Sequence, residues 1–237
     1  MPATLHMLDA VTSTQDRLHE LALQGAPTGT AVMAAEQTAG RGRRGRTWHA
    51  PRGGLWLSVL CRPRSEPAFE VLSIRVALAA ALVIERRTPH VAIEIKWPND
   101  LMLDGRKLGG VLCEAHWQGD SPAWVAVGIG INLQNPVPVE LAGQAVQLAS
   151  YAPDLTPAAL APDLVSAVVA ASEVDRRLSP REVQDFTDRD FLAGIRLAEP
   201  AHGTAEGLTA DGLLRVRTGT GGVELIRSGT VVLAECE

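Results

Sequence analysis

Two apolar, strand-like runs, Thr30 to Ala35 and Leu55 to Leu60, bracket a stretch that no hydrophobic core can hold. Between Gln37 and Ser65 stand seven arginines (Arg41, Arg43, Arg44, Arg46, Arg52, Arg62 and Arg64) and neither Asp nor Glu. That window carries +7 while the other 208 residues carry −12. Any fold must therefore bury both flanking strands and leave the tract at the end of a sheet, facing water or an anion. A chain that needed only solubility would intersperse both signs, so such concentration in a chain of net charge −5 points to a local anion site. The plainer alternative is a solvated, arginine-rich loop. The overall acidity argues against a general nucleic-acid binder.

Around the tract the pattern is mixed. Leu5 to Leu8 reads as a strand, and Ser13 is a hydroxyl cap for a helix that carries Leu18, Leu21 and Ala22 and ends at Gly25 and Pro27. Glu70 to Arg87 has helical length and an apolar face, stopped by Pro89. Val91 to Lys96 alternates, and Asp104-Gly105 is a two-residue hairpin turn between Leu101–Leu103 and Arg106–Leu108, continued by Gly110 to Ala115. Trp124 to Leu133 gives a further strand, Pro136 to Pro162 loosens into Pro and Ala, and Leu164–Leu178 and Glu182–Asp190 read as helices. From Gly194 onward, eight glycines and short alternating runs at Leu213–Val216, Val223–Ile226 and Thr230–Leu233 predict a small β-barrel packed on the main body.

The 237 residues, 46% hydrophobic and 21% charged, suffice for a real core. No apolar run approaches the ~20 residues that cross a bilayer, and Met1 to Gly25 lacks a secretory pattern, so the expectation is a soluble, cytoplasmic protein without membrane contact. Cys61, Cys113 and Cys236 are odd in number and far apart, which indicates neither a disulfide framework nor a zinc site.

Three constellations carry chemistry. Gly40-Arg41-Gly42-Arg43-Arg44-Gly45 matches GxGxxG, but Thr47 to Gly54 supplies a strand entry rather than the helix a dinucleotide fingerprint needs, and no Walker A motif exists. What remains is a flexible Gly/Arg loop whose backbone amides and guanidinium groups suit phosphate or carboxylate, with Trp48 able to close over a planar or apolar ligand. Lys96-Trp97-Pro98-Asn99-Asp100 leaves its strand at the Trp-Pro bond, freeing Asn99 and Asp100, the latter a candidate Mg²⁺ ligand. Lys107 follows the hairpin, ahead of Gly109 and Gly110, placed to aim inward. The third is Gly128-Ile129-Gly130-Ile131-Asn132, whose glycines mark either a bulge or a ligand pressed to the backbone.

In order, Ser13-Thr14-Gln15, Gln37-Thr38-Ala39 with GRGRRGRTW (40–48), KWPND (96–100), RKLGG (106–110) and VGIGIN (127–132) resemble the biotin–protein ligases over about residues 5–135, and less sharply in the C-terminal barrel. The resemblance implies an α+β fold: a mixed β-sheet flanked by helices, like class II aminoacyl-tRNA synthetases, with a C-terminal SH3-like β-barrel. It also implies division into a catalytic domain, 1–190, and a C-terminal domain, 191–237. The implied activity is joining biotin to AMP with ATP and Mg²⁺, then transferring the biotinyl group to a lysine of a biotin carboxyl carrier domain, with a homodimer an open possibility. By the same resemblance Ser13, Thr14, Gln15, Gln37, Gly40, Arg41, Arg43, Lys107, Gly110, Gly128 and Gly130 would contact biotin. Arg43, Arg46, Trp48, Lys96, Asn99, Asn132 and Arg227 would serve ATP, Arg43 and Lys107 would be catalytic, and Asp100 would hold Mg²⁺. Gln15 departs from the common Asn by one methylene, and the twelve residues before Ser13 suggest the monofunctional class without a DNA-binding domain. Two rivals stand beside this reading: a lipoate–protein ligase or octanoyltransferase of related fold, and a nucleic-acid module stacking bases on Trp48 and Trp56.

Overall fold

The computed structural model describes residues 4–119 and 121–234; Cys236 lies outside them. In chain order the elements of the main body are β1 (Leu5–Val11), α1 (Thr14–Leu23), β2 (Ala31–Gln37), β3 (Leu55–Cys61), α2 (Glu66–Glu70), α3 (Leu72–Arg87), β4 (Glu94–Lys96), β5 (Asp100–Leu103), β6 (Arg106–Gln118), β7 (Ser121–Ile131), α4 (Pro157–Ser172) and α5 (Pro180–Thr187). Seven strands form one sheet in the order β1-β2-β3-β7-β6-β5-β4, parallel only between β1 and β2. β3, an interior strand between β2 and β7, is buried at all seven positions because both faces of the sheet are covered. On one face Leu18 and Ala22 of α1 pack on Val32, Leu60, Trp124 and Ala126. On the other, α3 and α4 cover Leu55, Leu57, Val59, Val125 and Val127. Each fully buried Leu or Val here contributes roughly 1.5–3 kcal/mol.

The smaller sheet, β8 (Arg196–Glu199), β9 (Gly203–Leu208), β10 (Leu214–Arg217), β11 (Val223–Ile226) and β12 (Val232–Leu233), is antiparallel in the order β11-β10-β9-β8-β12. Its Leu197, Ala205, Leu208, Leu214 and Val216 belong to the same apolar cluster as α3. Trp97 Nε1 donates to the Gly212 carbonyl at 2.9 Å. The tryptophan of the KWPND motif therefore ties the two sheets together rather than lining a site.

Local chemistry sets most boundaries. Asp104 and Gly105 turn the β5–β6 hairpin with φ of 49° and 73°, the left-handed pair that a tight hairpin demands. Ser179 and Glu182 form a reciprocal capping box at α5. Three expectations are corrected. The helix expected over 70–87 runs over Leu72–Arg87, and Glu70 instead ends the separate short helix α2. The helix expected at Leu164–Leu178 instead starts at Pro157, capped by Thr156, and ends at Ser172. Pro162 sits inside it and costs one backbone bond, which the buried stripe Leu160, Leu164, Val168 and Ala171 outweighs. The Val91–Lys96 strand shrinks to Glu94–Lys96, and β8 and β9 carry too few β-branched residues to announce themselves.

Candidate active site

The first turn of α1 lies over the middle of the sheet and begins a polar network. Ser13 caps the helix by accepting from Gln15 N at 3.3 Å. Thr14 donates its backbone N–H and its hydroxyl to Gln37 Oε1, at 2.8 and 3.0 Å, and its Oγ1 lies 2.8 Å from Ser58 Oγ. Gln15 Nε2 donates to the Leu112 carbonyl at 2.9 Å, while Gln15 Oε1 is buried without a partner. A buried orphan acceptor is costly, so this oxygen is a place where a ligand's N–H gains most. Gly128 is glycine for a stated reason: a Cβ there would stand 2.4 Å from Gln15 Nε2.

These groups line the inner end of a cavity of about 350 Å³. Of the expected site residues, Ser13, Thr14, Gln15, Gln37, Gly110, Gly128 and Gly130 all line it. So do Arg41, Arg43, Arg46, Trp48, Asn99, Asp100, Lys107 and Asn132, drawn from loops and strands up to 91 residues apart. Gly40 does not; it lines an adjoining hollow with Gln37 and Trp48.

The Gly/Arg loop is folded differently from the open, amide-presenting loop expected. Trp48 N donates to the Gly40 carbonyl at 2.9 Å and Gly42 N to that of Arg46 at 2.7 Å, so these amides are used inside a small hairpin. Arg44 and Gly45 turn its tip with φ of 58° and 72°. Gly40 serves this hairpin, since a Cβ would come within 2.5 Å of the Trp48 carbonyl oxygen. Nor do the arginines act together. Arg41 bonds Glu114 through Nε and NH2, at 3.2 and 2.9 Å, and meets Asp16 at 2.8 Å. Asp16 and Glu114 raise its pKa further above the ordinary guanidinium value. Arg52 is held by Asp9 at 2.7 and 2.8 Å. Arg43 and Arg46 remain for a ligand. Arg43 NH1 donates to Asn99 Oδ1 at 3.2 Å, and burial, with Arg44 beside it, pulls its pKa below the usual guanidinium value. A cation so disfavoured gains when an anion arrives.

Asn99 is clamped between Arg43 and the Val111 carbonyl, to which its Nδ2 donates at 2.5 Å. Lys107 Nζ donates to Asp100 Oδ1 at 2.6 Å and lies 5.3 Å from the Trp48 ring centroid. Its backbone is fixed by the 142–147 segment, donating to the Gln144 carbonyl at 2.8 Å and accepting from Val146 N at 3.0 Å. The Trp48 indole packs against Gly130, where a Cβ would stand 2.9 Å from the ring. Asn132 Oδ1 accepts from Asn135 Nδ2 at 3.1 Å.

Lys96 and Arg227 lie outside the cavity lining. Lys96 is half-buried beside it, and burial lowers its pKa, with Lys107 and Arg46 adding and Asp100 opposing. Arg227 is exposed and pairs with Glu70 of α2. Sequence reasoning missed Ser58, Leu112, Val137, Pro138 and Gln144, all in the lining. Ser58, a lone polar residue in an apolar strand, carried a readable signal; the others carried none. Among the described residues no cluster of three His, Cys, Asp or Glu could hold a metal, and no helix is long and apolar enough to cross a membrane.

The Biotin/lipoate A/B protein ligase family matches residues 7–132, more than half of the chain and nearly all of the strands and loops that build the cavity. The chain belongs to this family. The Biotin protein ligase C terminal domain matches residues 194–233, the smaller sheet. Among curated family members, the Bifunctional ligase/repressor BirA of Bacillus subtilis is 39% identical over 150 residues, 61% of this chain and 46% of its own length. The Biotin--[acetyl-CoA-carboxylase] ligase of Paracoccus denitrificans is 43% identical over 104 residues, 43% of each. The match thus spans less than half the length of either relative. Among solved structures, biotin protein ligase from Aquifex aeolicus in complex with biotin and ATP superposes with a TM-score of 0.82 at 28% identity, covering 98% of this chain and 99% of that one. The Leishmania major enzyme in complex with Biotinyl-5-AMP gives 0.67 at 29% identity, covering 95% and 99%.

Proposed function

We propose that the chain is a biotin–protein ligase: it joins biotin to the α-phosphate of ATP, releasing pyrophosphate, and transfers the biotinyl group from the mixed anhydride to a lysine of a biotin carboxyl carrier domain. The single observation that carries this is a cavity with two chemically distinct ends, a buried hydrogen-bonding floor and a cationic mouth. At the floor, Gln15 Oε1 lacks a donor and Ser58 and Thr14 offer hydroxyls, which suits a cyclic urea that both donates and accepts. A dithiolane ring has no N–H for Gln15, which favours biotin over lipoate. At the mouth, Arg43, Arg46 and Lys107 face a single acid, Asp100. A carboxylate and a triphosphate repel each other, and bringing their reacting atoms to ~3–3.5 Å needs concentrated positive charge.

In this reading Arg43 and Lys107 hold the carboxylate against the α-phosphate and neutralise the charge that develops there, while Trp48 and the hairpin exclude water from the anhydride. Mg²⁺ suits this site as an ion carried in by the triphosphate: Asp100, one of its oxygens engaged by Lys107, would supply one carboxylate ligand, and the metal would neutralise phosphate charge. The nucleic-acid alternative is weakened because Arg41 and Arg52 are paired with carboxylates of the chain itself. Intact-mass analysis of an isolated carrier domain incubated with this protein, biotin and Mg-ATP tests the proposal. A gain of one biotinyl group is expected; no gain, with no ATP–pyrophosphate exchange, refutes it.

A further inference from the structure

The hairpin that brings Arg43, Arg46 and Trp48 to the cavity is a unit in itself, closed by the Trp48–Gly40 and Gly42–Arg46 backbone bonds and by the Arg41–Thr47 bridge. A few side chains fix that unit to the rest of the protein. Arg43 reaches Asn99 at 3.2 Å and Arg44 reaches Thr230 at 3.3 Å, both neutral acceptors. Of the arginines in the hairpin, Arg41 alone forms ion pairs among the described residues, and it forms them with two elements at once. Its Nε and Nη2 fork onto Glu114 of β6 at 3.2 and 2.9 Å, and Nη2 also meets Asp16 of α1 at 2.8 Å. Forked bonds between charged groups are stronger and more directional than neutral ones. The three side chains are 36%, 30% and 45% exposed, so water weakens the attraction without removing it.

The two carboxylates stand where the cavity floor is made. Asp16 follows Gln15, and Glu114 lies two residues beyond Leu112, whose carbonyl accepts from Gln15 Nε2 at 2.9 Å. Arg41 therefore spans the same junction of α1 and β6 as the Gln15–Leu112 bond, while neither Asp16 nor Glu114 lines the cavity. We propose that Asp16 and Glu114 are positioning residues that latch the hairpin shut through Arg41, so that closure of the hairpin and the shape of the floor are set together. On the ligase reading above, on which the ligand part of this inference rests, the latch governs how long biotin and its adenylate stay enclosed. The division of labour among the arginines follows: the one that anchors is paired within the chain, and Arg43 and Arg46, which form no ion pair among the described residues, are left to meet anions.

The test removes the charges without touching the cavity. Trypsin cutting after Arg44 and Arg46, both exposed, reads opening of the hairpin in the ligand-free chain, and stopped-flow dissociation reads the residence of biotin. Glu114→Gln and Asp16→Asn keep the size of each side chain and remove its charge. Each should speed both cutting and biotin release by about three- to tenfold, and the double variant more than either, with the association rate nearly unchanged. Asp9→Asn is the control, because it breaks the ion pair of Arg52, which belongs to the same arginine tract but lies outside the hairpin; it should change neither rate. Unchanged cutting, faster cutting with unchanged biotin release, or equal effects of Asp9→Asn each overturn the proposal. Cutting needs no ligand, so a chain that binds no biotin sinks the ligase reading alone and the cutting comparison still decides the latch. Should Glu114→Gln not fold, Asp16→Asn in the first turn of α1 carries the same comparison.

Discussion

Gly128→Ala isolates the contact that shapes the cavity floor. Gly128 lies in a regular strand, so alanine brings no backbone penalty, but its methyl would stand 2.4 Å from Gln15 Nε2 and 3.3 Å from Cδ. The amide cannot simply swing away, because it is buried and bound to the Leu112 carbonyl at 2.9 Å. Displacing it leaves that carbonyl unpaired, at about 1–3 kcal/mol, which converts to about a 5- to 150-fold weakening of biotin binding if the floor must be restored for the ligand. Isothermal titration with biotin reads this directly. Gly219→Ala, away from the cavity and with nothing within 4 Å of the added methyl, is the matched control. Gln15→Asn in the Gly128→Ala background, one methylene shorter, should recover at least part of the loss. Unchanged affinity in Gly128→Ala, or equal losses at Gly219 and Gly128, would refute the reasoning.

Lys107→Ala should lower the rate of biotinyl-AMP formation by about 10²–10³ while the fold persists, and formation at the unmutated rate would remove Lys107 from catalysis. Arg75, buried in α3, binds Glu182 at 2.5 Å and the carbonyls of Val174, Arg176 and Arg177. Arg75→Met should therefore cost about 3–5 kcal/mol in denaturant unfolding, by stranding those acceptors. Burial raises the Asp190 carboxyl to about 6, and its Oδ2 has no partner. Between the unfolded value of 3.8 and about 6 the folded chain keeps a proton that the unfolded chain has released, so stability falls as pH rises through that window, by about 3 kcal/mol in all. Asp190→Asn, which retains the acceptor for Leu192 N, should accordingly raise the melting temperature at pH 7.5 and leave it nearly unchanged at pH 4; an equal shift at both would contradict the assignment.

The elements that the sequence announces are those fixed by neighbours along the chain. The Ser13 and Ser179 caps, the Asp104-Gly105 turn and the alternation in β2, β3, β6 and β7 each depend on residues within a few positions, so composition and spacing suffice. The helix at 157–172 was misplaced because Pro162 is a local signal that a distant apolar partner overrode. Most of the expected site residues do line the cavity; those expectations came from the resemblance of the motifs at 13–15, 37–48, 96–100, 106–110 and 127–132 to the biotin–protein ligases, not from spacing alone.

What the sequence by itself determined is that five of the seven arginines of an acid-free window lie between two buried strands and must meet an anion or water. Which arginines do so was decided only by tertiary structure. Arg41 finds Glu114 across 73 residues and Arg52 finds Asp9 across 43 at the surface, so both are paired within the chain, while Arg43 and Arg46 form no ion pair among the described residues. Spacing along the chain cannot foresee which charges become partners, because an ion pair is set by distance in space and by the water excluded around it.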